Sequence, residues 1–287
     1  MNFQNIVNEI EKVDPEVYDR FDSRRNAMKK FANLSGKLAL AAVPMAVASM
    51  FSKAYGQTPA EVNNVLNFAL TLEYLEAEFY NNIVGSAGFL TAPSAAQTAL
   101  TNIRNDENKH VAFLKSVLGM AAVAKPTFDF TGGSGSGTGP FAGYLANYDV
   151  QLAMAQTFED TGVRAYKGQA ANVKSNRVVL TAALNIHSVE ARHASHIRQM
   201  RRGRNNVIPA GQTVKPWITL KETGIDFPAA NAAIQKSYDG EEVTTQAGVN
   251  ILNLGGSFNT AAAASQGFDE PLTREQVLSI VTIFIAP

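Results

Sequence analysis

Apolar residues recur every three or four positions along four long segments between residues 59 and 202, which is the spacing of one helix face. Turn-forming residues follow each segment, such as the Gly85-Ser86-Ala87-Gly88 sequence after the first. This pattern predicts helices over about 59–84, 93–118, 141–168 and 175–202. The central part of the chain is therefore predicted to be all-α.

The connections between these helices predict how they are arranged. The first and third connections are short, so each joins two antiparallel helices in a hairpin. The second, about Lys125–Pro140, contains a glycine-rich stretch at 131–139, and we expect a flexible linker without core residues. A helix of about 25 residues is about 38 Å long, and about twenty extended residues can span that length. Two hairpins joined by one long crossover predict the ferritin-like form of the antiparallel four-helix bundle.

Residues 1–56 carry the parts of an export leader. Arg24 and Arg25 precede an uncharged run over 38–52, and small residues suited to cleavage follow. The arginine pair resembles the twin-arginine signal, so we expect the twin-arginine export machinery as a partner and the periplasm or cell envelope as the location. The alternative is a helix that stays attached, because apolar residues over 3–13 also recur at helical spacing.

Residues 203–287 form a C-terminal extension after the bundle, which we assign to 57–202. The extension is rich in Gly, Asn, Thr and Ala and shows no strong period before residue 270. Thr273 and Gln276 have the spacing of a capping box, which predicts a terminal helix. The apolar side of that helix must be covered, either by the bundle or by a second copy of the chain. A homo-oligomer is left open.

Composition narrows the chemistry that this fold can support. The 287 residues contain 25 Lys and Arg against 25 Asp and Glu, so the chain lacks the positive charge of a nucleic-acid-binding protein. It has no cysteine, which excludes disulfides, thiolate nucleophiles and iron–sulfur clusters. Any metal site must use oxygen and imidazole ligands, and the chain has four histidines.

Carboxylates interrupt the apolar stripe of all four predicted helices. In the second and fourth helices a histidine follows the glutamate by three residues, so that each pair lies on one helix face. The first and third helices each carry a glutamate followed seven residues later by a tyrosine. The chain thus repeats Glu-x6-Tyr and Glu-x-x-His, and the second glutamate follows the first by 34 positions in one half and by 31 in the other. A glutamate from each of two helices and Glu-x-x-His from each of two others form the ligand set of carboxylate-bridged dimetal sites.

These motifs resemble those of the ferritin-like superfamily, and more narrowly of bacterial ferritin-like proteins related to desiccation-associated proteins. The likeness lies in the sequences over 72–80 and 158–166 and in the two Glu-x-x-His pairs, and it extends into the tail at 238–242 and 268–273. The resemblance implies a nearly symmetric site with two bridging glutamates and one further glutamate and histidine for each metal. The bridging residues would be Glu107 and Glu190, with Glu73 and His110 completing one metal and Glu159 and His193 the other.

The charge of these side chains favours a metal pair. Four buried carboxylates without compensating charge are too costly for a stable core, whereas two divalent cations neutralise them. Carboxylate-rich sites with one imidazole per metal suit hard redox-active ions, so we expect two iron ions, with two manganese ions as the alternative. The predicted function is reaction with dioxygen or peroxide in oxidative or desiccation stress, as a ferroxidase or a peroxide-consuming oxidoreductase. The alternatives are a non-enzymatic stress protein with structural metals and a dimanganese catalase-like enzyme.

Other polar residues near the predicted ligands have supporting or structural roles, and none is predicted to be catalytic beyond the ligands. Tyr80 and Tyr166 are candidates to hydrogen-bond the ligand carboxylates. Glu76 lies one turn after Glu73 and is a candidate to replace or supplement it, with a solvated carboxylate, or one that supports the ligands without binding metal, as the alternative. We expect His187 to be a structural core residue and His196 to be exposed.

Overall fold

The computed structural model describes residues 59–204, 208–246, 248–254 and 259–287, and the predicted leader lies outside them. The described part is helical, which confirms the all-α prediction. One short antiparallel ladder joins strands β1 (Thr245–Gln246) and β2 (Val249–Asn250) in the tail. Among the described residues, no helix combines the length and the apolar character needed to cross a membrane.

Four long helices form the bundle, and they are α1 (Pro59–Ile83), α3 (Ser94–Leu118), α4 (Tyr148–Ala170) and α5 (Arg177–Arg202). Shorter helices in the described part are α2 (Ala87–Leu90), α6 (Asn231–Gln235), α7 (Ala261–Ser265) and α8 (Arg274–Val281). Helix α1 packs along α3, and α4 packs along α5. The short connections make each pair an antiparallel hairpin, and the chain crosses from one hairpin to the other over 119–147. This arrangement confirms the predicted bundle with a long crossover.

Helix α4 begins later than the predicted start near Phe141. Asn147 ends the preceding loop and caps the helix, because its side chain accepts the backbone N–H groups of Asp149 and Val150. Phe141 and Tyr144 are buried although they lie outside the helix, and their apolar character extended the apparent period. Leu145 also matches this apparent period, but it lies before the helix and is exposed.

The glycine-rich part of the crossover is an organised loop, so the prediction of a flexible linker without core residues is wrong. The Asp129 carboxylate accepts the backbone N–H groups of Thr131, Gly135 and Gly137 at 2.9–3.0 Å. Phe130, which follows Asp129, is buried in the main hydrophobic core. The backbone N–H groups of this loop are thus satisfied by one buried carboxylate, where a helix or strand would satisfy them with backbone carbonyls.

The end of the chain packs against this loop. Thr273 and Gln276 form the predicted capping box, with both reciprocal hydrogen bonds present at the start of α8. Helix α8 buries Val277 and Ile280 against the bundle. After it, a backbone hydrogen bond from Asp129 reaches the Phe284 carbonyl at 2.8 Å. The terminal helix is therefore covered by the chain's own crossover and bundle.

Helix α4 is covered on all sides, since every residue from Val150 to Tyr166 is buried. The bundle covers one side of it and the C-terminal extension covers the other. On the extension side the Asp160 carboxylate accepts hydrogen bonds from the Arg198 guanidinium and from the Tyr238 hydroxyl, the latter at 2.7 Å. The extension that has no helical period is thus held by polar side chains of α4 and α5.

Arg164 is the main link between α4 and the extension. Its guanidinium donates to the backbone carbonyls of Ser237, Asp239 and Glu270 at 2.6–2.9 Å and lies 2.6 Å from the Glu241 carboxylate. The side chain is 1% exposed, so the ion pair is shielded from water. All three guanidinium nitrogens thus contact the tail, which fixes two separate tail segments on one helix.

We expect Arg164→Met to lower the free energy of unfolding by about 3–5 kcal/mol, because it leaves the buried Glu241 carboxylate without its counter-charge and three carbonyls without a donor. Urea denaturation followed by circular dichroism measures the change. Arg204→Met is the matched control, because Arg204 and its partner Asp149 are 32% and 15% exposed, and the loss there should be about 1 kcal/mol or less. Equal losses in the two variants would contradict a special role for Arg164.

Candidate metal centre

The six predicted ligands lie together inside the bundle, with each of the four long helices contributing one side of the cluster. Helices α1 and α4 provide Glu73 and Glu159, and the other two helices provide the Glu-x-x-His pairs. All four glutamates have no exposed surface. The helical spacing of three residues directs both members of each pair to the same face, as the sequence predicts.

The cluster divides into two groups of four residues that share Glu107 and Glu190. One group adds Glu73 and His110, and the other adds Glu159 and His193. Within each group one donor atom from every residue lies within 4.8 Å of the others. Two adjacent positions that share two carboxylates are the arrangement that a bridged metal pair requires.

His110 directs its Nδ1 atom at three carboxylates at once. Nδ1 lies 2.9 Å from Glu107 Oε2, 3.1 Å from Glu73 Oε2 and 3.3 Å from Glu190 Oε1. A single ring N–H cannot donate well to three oxygens, whereas a cation placed among them would contact all four atoms.

His193 occupies the matching place in the second group. Its Nδ1 atom lies 2.8 Å from Glu107 Oε1 and 3.3 Å from Glu159 Oε2, yet it has no hydrogen bond of acceptable geometry. Its other nitrogen, Nε2, faces Asp106 Oδ2 at 3.6 Å, which is an electrostatic contact beyond hydrogen-bond length. Both histidines therefore present Nδ1 to the cluster.

Two tyrosines hold the terminal glutamates from the opposite half of the bundle. The Tyr80 hydroxyl of α1 donates to Glu159 Oε1 of α4 at 2.5 Å. The Tyr166 hydroxyl of α4 donates to Glu73 Oε1 of α1. The repeated Glu-x6-Tyr motif thus works across the bundle, and each tyrosine leaves the second oxygen of its glutamate directed at the cluster.

The unsatisfied atoms of the cluster fit a bound cation. Several buried oxygen and nitrogen atoms there have no hydrogen-bond partner, and these are Glu76 Oε2, Glu107 Oε1, Glu159 Oε2, both Glu190 oxygens and His193 Nδ1. Buried polar atoms in proteins are nearly always satisfied, so a concentration of unsatisfied ones indicates a missing partner. The donors are carboxylate oxygens and imidazole nitrogens, which suit iron, manganese or zinc.

Burial and like charge make the cluster hold protons when no cation is present. Burial and the neighbouring Glu190 raise the pKa of Glu107 to about 7, although the two nearby histidines oppose this shift. Burial and the Glu73 charge raise the pKa of Glu190 to about 8. Burial alone would lower the pKa of His193, but the Glu159 and Glu107 carboxylates outweigh it and raise the pKa to about 11. Cations would replace these protons as the compensating charge.

The histidine side of the cluster is the side closest to solvent. The His110 and His193 side chains are 12% and 9% exposed, whereas the glutamates have no exposed surface. Asp106 lies beside them with 39% exposure, and Lys109 donates to it at 2.8 Å. An ion or small molecule would therefore approach along the seam between α3 and α5.

The remaining candidate residues divide between the cluster and the surface. Glu76 is buried beside the ligands, so the alternative of a solvated carboxylate is wrong. His187 is partly buried outside the two ligand groups, and His196 is exposed, as predicted. Sequence reasoning missed Asp106, although its position directly before the Glu107-x-x-His110 motif is a signal that could have identified it.

We expect the metal-free protein to lose stability as the pH rises from about 4.5 to about 8. The Glu107 and Glu190 carboxyls have ordinary pKa values of 4.5 when unfolded and values of about 7 and 8 when folded, so the folded state binds more protons over this range. Thermal melting of chelator-treated protein between pH 5 and pH 8 measures the slope. The Glu107→Gln, Glu190→Gln double variant should show a smaller slope, and an unchanged slope would contradict this origin of the pH dependence.

Comparison with known proteins agrees with this geometry. Residues 61–202, about half of the chain, match the family model of the ferritin-like domain. No curated protein and no solved structure matches the chain significantly. The match spans α1 to α5 and contains all six clustered residues. Residues 61–202 are therefore a ferritin-like domain, and this part of the chain belongs to the ferritin-like superfamily.

Proposed function

We propose that the ferritin-like domain binds two metal ions and that the pair reacts with dioxygen or peroxide. The observation that carries the proposal is the pair of four-residue groups that share Glu107 and Glu190. Glu73 and His110 would complete one position, and Glu159 and His193 the other. Two iron ions are the proposed cofactor, with two manganese ions as the alternative, since both suit carboxylates with one imidazole each.

The chain's own residues would position and shield this pair. Tyr80 and Tyr166 restrain the two terminal glutamates by hydrogen bonds to one oxygen of each. The bundle excludes bulk water from the carboxylates, so that water screens their attraction for a bound cation less than it would at the surface. When bound, iron or manganese supplies the electrons needed to reduce dioxygen or peroxide.

A small oxidant suits the space around the cluster better than a large substrate. The ligand carboxylates have no exposed surface, and the two histidine side chains are only slightly exposed. An apolar cavity of about 20 Å³ lies beside Tyr166, lined by apolar side chains that include Leu66, Leu114 and Ile186. A cavity of this size and character has room for one diatomic or similarly small molecule.

We further propose that the protein is exported and acts in oxidative or desiccation stress. The support for export is the arginine pair at 24–25 and the uncharged run after it. A twin-arginine route would carry the folded protein, so the metal could be loaded in the cytoplasm before export. The metal bound by the exported protein would then be determined by the metals available in the cytoplasm.

Elemental analysis of the protein recovered from the exported fraction of cells tests both proposals. We expect about two equivalents of iron or manganese per chain, because the six ligands form two complete positions. The Glu107→Gln, Glu190→Gln double variant should lose both equivalents, while Glu78→Gln, on α1 but paired with Lys125 outside the cluster, should retain them. A metal-free protein after anaerobic reconstitution would refute the dimetal proposal, and a loaded protein found only in the cytoplasm would refute export alone.

Reactivity distinguishes the proposed function from its two alternatives. We expect anaerobically loaded ferrous protein to oxidise its iron on exposure to dioxygen or peroxide, which an absorbance change in the near-ultraviolet and visible range reports. Rapid evolution of oxygen from peroxide by the manganese-loaded protein would instead support a catalase-like enzyme. Inertness of both loaded forms would support a stress protein whose metals only stabilise the bundle. Protein with both bridging glutamates replaced is the control in each assay.

A further inference from the structure

Glu76 is a fifth glutamate in the cluster that neither four-residue group includes. Its side chain is 3% exposed, and Oε2 has no hydrogen-bond partner. Among the charges that act on it, the carboxylates of Glu190 and Glu73 are the strongest, and both repel its negative charge. A carboxylate in a structural role would have donors around it, because an unsatisfied buried oxygen is costly.

The internal repeat shows why this carboxylate has room. Gly162 follows Glu159 by three residues, just as Glu76 follows Glu73, so glycine stands where the second half of the repeat would carry the matching glutamate. A Cβ atom at Gly162 would lie 3.1 Å from Glu76 Oε1 and 3.1 Å from Glu190 Oε2. The Glu76 carboxylate therefore occupies the space that a side chain at position 162 would fill.

The presence of glycine at position 162, in place of a glutamate that would match Glu76, breaks the near-symmetry of the site at one place. The two terminal glutamates, the two histidines, the two bridging glutamates and the two tyrosines each have a counterpart in the other half. Glu76 has none. Its Oε2 atom, which has no hydrogen-bond partner, lies among the carboxylates that would surround a metal pair. A buried carboxylate oxygen in such a place needs a cation to balance its charge.

We propose that Glu76 is an additional ligand of the metal pair, and that it makes the two metal positions unequal in affinity. The inference rests on the proposed dimetal function and deepens it. Two divalent ions balance the four symmetric glutamates, whereas the fifth carboxylate favours a more highly charged pair. The site would then load its two ions in sequence, with the stronger position filling first.

Calorimetric titration of the metal-free protein with Mn²⁺ under argon tests the proposal without any enzymatic assay. For the wild type and for Glu78→Gln we expect two equivalents bound in two separate steps. In Glu76→Gln one step should weaken by about 100-fold or more, because losing a residue that only hydrogen-bonds a ligand already costs about 10- to 100-fold, while the other step keeps its dissociation constant. Electron paramagnetic resonance at one equivalent of Mn²⁺ should show one occupied position in the wild type and a mixture in Glu76→Gln.

Glu76→Asp separates ligation from a general effect of charge. Aspartate keeps the negative charge but withdraws the carboxylate by one methylene, so a ligand role predicts the same weakened step as in Glu76→Gln. Wild-type binding by Glu76→Asp, or by Glu76→Gln, would overturn the proposal. If the wild type binds two Mn²⁺ ions and both variants match it, only the role of Glu76 fails. A wild type that binds no metal would overturn the dimetal function as well.

Discussion

Burying several carboxylates in the centre of one helical bundle is the constraint on which this structure depends. Glutamates without exposed surface repel one another and resist ionisation, so they need protons, hydrogen-bond donors or cations close by. The bundle provides the donors through its histidines and through tyrosines that reach across from the opposite hairpin. Hairpin packing, tyrosine placement and the long crossover all serve to bring these groups to one point.

The parts of this arrangement that follow helix geometry could be predicted from the sequence. A spacing of three residues places two side chains on one helix face in any helix, so the Glu107 and His110 pair was recognisable without a structure. The repeat of the same motif indicated that the two halves meet face to face. The capping box at Thr273 was equally accessible, because it depends on two residues of fixed separation.

The other features of the structure depend on contacts between single residues, and such contacts produce no regular spacing in the sequence. The extension binds α4 largely through backbone carbonyls, and any residue can supply a carbonyl, so most of these contacts leave no sign in the sequence. Asp129 organises the glycine-rich loop through a single side chain that resembles any loop aspartate. The start of α4 was misplaced because Phe141 and Tyr144 are buried without being helical. Gly162 becomes informative only when the two repeats are aligned.

The contacts of Arg164 also bear on how the chain folds. Its partners Ser237 and Glu270 lie 73 and 106 residues further along the chain, so the outer side of α4 is closed by very distant segments. Folds dominated by such long-range contacts reach the native state slowly. The two hairpins can form early from local contacts, and during synthesis the polar side of α4 stays uncovered until residues beyond 270 emerge. During that interval the apolar residues of the bundle that later pack with Ile225 and Ile234 of the extension are uncovered as well, and exposed apolar surface favours aggregation.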